Sequence, residues 1–178
     1  MSYKNELVRS MEWLGEQENT VFIGQSVKFS GNAIFNTLKT IPDNKKIEVP
    51  VVEDLQMGIS TGMALDGLVP ISCYPRFDFL LLACNQLVNH LDKMQYMSRG
   101  MMNPKVIIRT SIGAKKPLDG GIQHTQDHTQ AFRYLLTNVN VILLNEPDEI
   151  FPAFKLAYER EDSKSTLIIE WGDYYNEK

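Results

Sequence analysis

Residues 50–70 read PVVEDLQMGISTGMALDGLVP, and the fold class turns on this stretch. It overlaps the end of a short apolar run, residues 47–52, whose alternation predicts a strand. The chain then turns acidic at Glu53 and Asp54. From there Leu55, Gly58, Gly62, Met63 and Leu65 recur at roughly helical spacing, with Gly67 just past the end as the C-cap. Gly58 and Gly62, four apart, leave a bare stripe suited to close packing against another backbone. A carboxylate at such a strand-to-helix junction lies at the carboxyl edge of a sheet, where open α/β folds place their ligands. Glu53 also has a plainer reading, because an acid in a first helical turn is favoured by the helix dipole. On this stretch alone both readings stand.

Outward from this centre, strands and helices alternate. Residues 4–17 predict a helix with Leu7, Met11 and Leu14 on one stripe. Residues 20–24 (TVFIG) are a continuous apolar strand of the kind buried in a parallel sheet. A short helix at 32–41, a turn at Pro42, Asp43 and Asn44, and a strand at 69–74 come next. Residues 78–100 predict one long helix whose polar side chains are spread around it, as on a helix that packs against another subunit. A strand at 105–109 leads into a polar, glycine-bearing loop at 110–127, long enough to be functional or mobile. A helix at 128–136, a strand at 139–144, a helix at 147–160 opened by Pro147 and a strand at 166–170 complete the series. The pattern predicts an α/β fold of three layers, a mainly parallel sheet with helices on both faces.

With 178 residues, 43% hydrophobic and 22% charged, the chain has the composition of one globular domain with a sizeable core. A net charge of −4 without a long basic run argues against nucleic acid as a partner. Apolar runs fall short of a membrane span, and the N-terminus has neither signal-peptide nor transit character. Cys73 and Cys84 fit no metal spacing and no disulfide framework. A cytoplasmic protein is the expectation.

Few constellations carry chemistry by themselves. His124 and His128 flank Asp127 and could form a metal pair, but HExxH and a third ligand are missing. Cys84 sits in an apolar stretch, as a core cysteine would. Gly113, Gly120 and Gly121 make neither a P-loop nor a dinucleotide-binding turn, and Lys115 and Lys116 read as a solvated pair. Phe77 and Phe79 read first as core. An aromatic beside a carboxylate at a sheet edge could instead hold a flat heterocycle, with the acid bonding one ring nitrogen.

With those residues in view, the chain resembles the pyrimidine-binding domain of thiamine-diphosphate enzymes. Most closely it is similar to the N-terminal half of the beta subunit of the decarboxylating component of 2-oxo acid dehydrogenases. Val21-Phe22-Ile23-Gly24 matches that family's first strand. Pro50-Val51-Val52-Glu53 stands for its P-I-x-E, and Gly67-Leu68-Val69-Pro70 for its G-L-R-P. Phe77-Asp78-Phe79, then Asn85-Gln86, fall on F-N-F and D-Q. The segment from Lys93 to Ser98 resembles K-x-x-Y-M-S, and Gln123-His124-Thr125-Gln126 resembles Q-H-S-Q. The match runs over residues 4–170.

The resemblance implies a pyrimidine-binding half of a two-chain enzyme, using thiamine diphosphate to decarboxylate a 2-oxo acid or transfer a ketol or acyl group. Glu53 would bond a ring nitrogen of the aminopyrimidine and favour its imino tautomer. Phe79 would stack on that ring, with Val51, Pro75 and Gln25 lining the pocket. His124 would steady an anionic group at the substrate end. The helix at 78–100 would pair two such domains. Departures are equally specific. Gln25 stands where the family has a second glutamate, linked to communication between paired sites; Cys73 replaces an acid and Leu55 a glycine. The GDG-type magnesium and diphosphate motif is missing, as is the family's C-terminal domain. The expectation is therefore a single pyrimidine-binding domain over residues 1–178, with no metal site of its own. An alpha-type partner chain would hold Mg2+ and the diphosphate, in a heterotetramer. Two alternatives remain at this point: a non-catalytic regulatory or binding module that kept the fold, and an unrelated flavodoxin-like binder.

Overall fold

A computed structural model describes residues 2–116 and 118–177. Its strands are β1 (Thr20–Gly24), β2 (Lys46–Glu48), β3 (Val69–Tyr74), β4 (Ile107–Ile112), β5 (Asn140–Leu143) and β6 (Thr166–Trp171). They form a single sheet in the order β2-β1-β3-β4-β6-β5, with every pairing parallel. The helices are α1 (Tyr3–Glu16), α2 (Glu53–Leu65), α3 (Phe77–Leu80), α4 (Asp92–Met97), α5 (Thr129–Leu135), α6 (Pro147–Glu159) and α7 (Tyr174–Glu177).

Parallel strands need helices on both faces, and the burial follows that rule: every residue of β1, β3 and β4 is buried. One face packs Phe22, Ile71, Ile107 and Ile168 against Leu7, Met11 and Leu14 of α1 and Phe154 of α6. The other packs Tyr74, Ile108, Leu167 and Ile169 against Met57 of α2, Phe77 and Leu87, and Phe132 of α5. The three layers expected from the alternation are present. After β1 the chain builds β2 on one side and β3 on the other, so the order reverses there and opens a crevice at the carboxyl ends.

Local chemistry sets the ends of the elements. The Ser2 side chain accepts the Asn5 N–H ahead of α1, and Glu146 with Glu149 makes a reciprocal cap on α6. Gly67, with φ of 95°, follows α2 as the C-cap position demanded. The strand expected at 47–52 stops at Glu48. Val49 still donates to the Gly24 carbonyl (3.1 Å), but Pro50 has no N–H and ends the ladder. The helix expected at 78–100 is one rod of changing pitch: α3, a 3-10 turn (Leu81–Ala83), a π-helical turn (Asn85–Leu91) and α4. Gly58 and Gly62 do not meet another backbone of this chain. A side chain at Gly58 would touch Gln86, and one at Gly62 would find no atom within 4 Å.

Asp92, at the start of α4, ties this rod to the sheet. Its buried carboxylate accepts from the backbone N–H of Thr137 (3.0 Å), Asn138 (2.8 Å) and Val139 (2.8 Å) and from Lys93 Nζ (2.6 Å). Burial alone would raise its pKa, but the bonds from Lys93 and those three N–H groups outweigh it and hold the carboxyl below its ordinary value. A depressed carboxylate stabilises the fold above its unfolded pKa and loses that contribution as pH falls through the folded one. Asp92→Ala should cost about 3 kcal/mol or more in urea unfolding at pH 7. The difference from wild type should shrink below about pH 4.

Candidate active site

The site begins where β1 runs out. A side chain at Gly24 would place its Cβ 2.4 Å from the Cys73 carbonyl oxygen, so only glycine lets β1 and β3 lie this close at their ends. The chain then turns through Ser26, whose φ is 53°. In that turn Gln25 points its amide at Glu53: Nε2 donates to Oε1 at 3.0 Å. Glu53 opens α2, only 4% of its surface exposed. Below it, Gln56 donates to Ser72 Oγ (3.1 Å) and the Cys73 carbonyl (3.0 Å), and Ser60 donates to Ser72 Oγ (3.0 Å). Tyr74, its hydroxyl pushed up by burial and so a neutral donor, bonds the Glu53 carbonyl at 3.3 Å. These bonds hold the first turn of α2 to β3.

The two phenylalanines after β3 divide by role. Phe77 is fully buried against Phe132 (5.1 Å between ring centres) and His128 (5.4 Å). Phe79 is half-buried and meets the His124 ring edge-on at 5.5 Å. His124 comes from the loop after β4, and its Nδ1 is buried without a partner among the described residues. Arg76 and Asp78 grip that loop. Arg76 Nη1 donates to the His124 carbonyl at 2.7 Å; Asp78 Oδ1 accepts from Gln126 Nε2 at 2.8 Å and lies 3.4 Å from His128 Nε2.

Gln25 with Glu53 and Phe79 with His124 are thus two contacting pairs at the carboxyl edge. Val51 is 73% exposed, two residues before Glu53 and outside β2. Pro75 lines a separate cleft of about 800 Å3, shared with Arg76, Ser111 and Asn32, which includes neither Glu53 nor Phe79. Cys73 is buried and its thiol is pushed up to about 12, which rules it out as a ready nucleophile. His124 and His128 belong to no group of three or more metal-ligating side chains among the described residues. Sequence reasoning passed over Arg76, Asp78 and Glu48. Their contacts lie 20 to 50 residues away, too far for local spacing to reveal them.

The all-parallel α/β sheet thus carries a buried carboxylate and a half-open aromatic at its switch-point edge, where open sheets of this class place their ligands. A family model, "Transketolase, pyrimidine binding domain", matches residues 9–175, and the chain belongs to that family. Curated relatives include the pyruvate dehydrogenase E1 component subunit beta of Cyanidium caldarium, 31% identical over 126 residues (68% of this chain, 38% of the relative). The same subunit of Gracilaria tenuistipitata var. liui is 27% identical over 168 residues, 92% of this chain and 50% of the relative. The 2-oxoisovalerate dehydrogenase subunit beta of Bacillus subtilis is 23% identical over 169 residues, 91% and 50%. The chain therefore spans half or less of the length of these relatives. Among solved structures, a "Split gene transketolase, inactive beta4 tetramer" superposes with a TM-score of 0.72 at 18% identity, over 97% of this chain and 52% of that one. Transketolase from Campylobacter jejuni gives 0.73 at 14% identity, over 95% and 25%.

If Arg76 holds the His124 loop, Arg76→Ala should speed amide exchange across residues 113–128 several-fold. Protection in β3 and β4 should stay unchanged, as measured by hydrogen-exchange mass spectrometry.

Proposed function

We propose that this chain is the pyrimidine-binding half of a two-chain, thiamine-diphosphate-dependent enzyme. Its reaction would be decarboxylation of a 2-oxo acid or transfer of a ketol or acyl group. The observation that carries this reading is the buried Glu53 carboxylate at the switch-point edge, with the Gln25 amide on one of its oxygens. Thiamine diphosphate, when bound, supplies an electron sink for carbon–carbon bond cleavage.

The residues fit the pyrimidine end of that cofactor. Glu53 would take and hold a proton at a ring nitrogen, with Gln25 keeping its carboxylate in one orientation. Phe79 would offer its open face to the ring, and Val51, exposed two residues before Glu53, would lie at its rim. His124, steadied by Arg76, would donate toward an anionic group of the substrate. The described residues do not fit the other end: they contain no carboxylate cluster for Mg2+, and the chain contains no GDG motif. An alpha-type partner carrying a GDG domain would bring Mg2+ and hold the diphosphate.

Exposed apolar side chains support such an assembly. Leu81, Leu82 and Met97 lie along the rod from α3 to α4, and Met101 and Met102 just beyond it, a surface suited to self-pairing in a heterotetramer. Among the described residues no helix is long and apolar enough to cross a membrane. A second reading, a non-catalytic module that kept this fold, is favoured by the neutral Gln25 where the family carries an acid. Reconstitution with the partner separates the two. Glu53→Gln should lower turnover by a hundredfold or more while circular dichroism and partner binding stay as in wild type. Ordinary turnover by that variant would overturn the catalytic reading.

A further inference from the structure

We infer that Glu48, at the end of β2, is the positioning residue of this site: it folds the turn that delivers the Gln25 amide to Glu53. Its carboxylate accepts three consecutive backbone N–H groups, from Ser26, Val27 (2.9 Å) and Lys28 (2.8 Å). Three successive N–H groups converging on one anion make a backbone nest, and the positive φ of Ser26 is what turns the first of them inward. Here the anion is the protein's own side chain. Gln25 is the residue immediately before this nest, so the direction of its side chain is set by a turn that Glu48 closes.

The loop is fastened at its far end too. Asn32 Nδ2 donates to the Gln25 carbonyl (3.3 Å), and Asn32 Oδ1 accepts from the Phe35 N–H (2.8 Å). Neither bond fixes the Gln25 side chain, whose amide donates to Glu53. β2 and β1 run side by side, with Glu48 in register with Gly24, so the carboxylate reaches the turn directly across the strand pair. Glu48 thus stabilises the backbone of residues 26–28, and Gln25 passes that order to the reacting carboxylate. Removing a charged acceptor from three N–H groups loosens the backbone on either side of Val27, whose side chain stays seated in the core, and leaves Gln25 tied only through its carbonyl to Asn32 and its amide to Glu53.

This inference deepens the proposed function and rests on it for the catalytic consequence alone. The test therefore has two arms, with Glu48→Ala and the isosteric Glu48→Gln, which keeps one acceptor oxygen. In the isolated chain, nuclear magnetic resonance should show the Ser26, Val27 and Lys28 amides of Glu48→Ala exchanging at least about tenfold faster. The Gln25 side-chain amide should lose its distinct resonance position, β3 amides should be unchanged, and Glu48→Gln should lie between the two. In the reconstituted pair, kcat should fall by roughly tenfold to a hundredfold with substrate KM within about twofold, partly restored in Glu48→Gln. A Gln25 amide unmoved in both variants would overturn the inference, as would full turnover once Gln25 is released. A wild-type pair that binds no cofactor would defeat the proposed function while the first arm still decides the role of Glu48 in the turn.

Discussion

Two opposite charges without access to water lie beneath the middle of the sheet, and the arrangement of its edge depends on them. Arg109 on β4 grips Glu170 on β6 through Nε and Nη2, its Nη1 donates to Thr37 Oγ1 at 2.7 Å, and Tyr175 of α7 donates to Glu170. Burial opposes the charge on Arg109, but the facing Glu170 carboxylate more than offsets it and raises the pKa. Losing either partner would strand the other and cost about 3–5 kcal/mol. The pair fixes β4 against β6 and anchors the 3-10 turn at Ile34–Thr37 and α7. Cys73 borders this pair, in register with Arg109 on the neighbouring strand. Because burial keeps its thiol neutral, it adds no second negative charge beside Glu170.

With the register set, parallel pairing does the rest. Every strand ends on the same side, so the segments after β1, β2, β3 and β4 bring Gln25, Glu53, Phe79 and His124 to one edge. Each is then held by a contact from a neighbouring segment: Gln25 through the turn closed by Glu48, Glu53 by Gln25 and by Tyr74 beneath its carbonyl, Phe79 by the edge of the His124 ring, His124 by Arg76. An active-site group held from outside its own element is preorganised, and a carboxylate with one oxygen already bonded presents the other in a defined direction.

Much of this was legible in the sequence. A continuous apolar run located β1 to the residue, because strands covered on both faces admit few polar side chains, and β3 lies where it was expected, at 69–74. The acidic opening of α2 and its glycine stop were equally plain. The π-helical turn was not, since its apolar spacing passes for an ordinary helix, and α7 is too short to show a period. Arg109 and Glu170 looked like ordinary charges inside strands, and only their pairing across β4 and β6 explains their burial. Of the site, Glu53 and Phe79 were candidates from their place at the sheet edge, while the roles of Gln25 and His124 emerged through a family pattern. The residues that aim them did not, because Glu48, Arg76 and Asp78 act on partners distant in the chain.

A split active site with its pyrimidine end on this chain would take up its cofactor only when both chains are present. Isothermal titration of thiamine diphosphate with magnesium tests it most directly, into the chain alone and into its mixture with a partner carrying a GDG-type domain. Binding confined to the mixture, and lost with Glu53→Ala, is the predicted result. A stable complex of the two chains that takes up no cofactor would contradict the account.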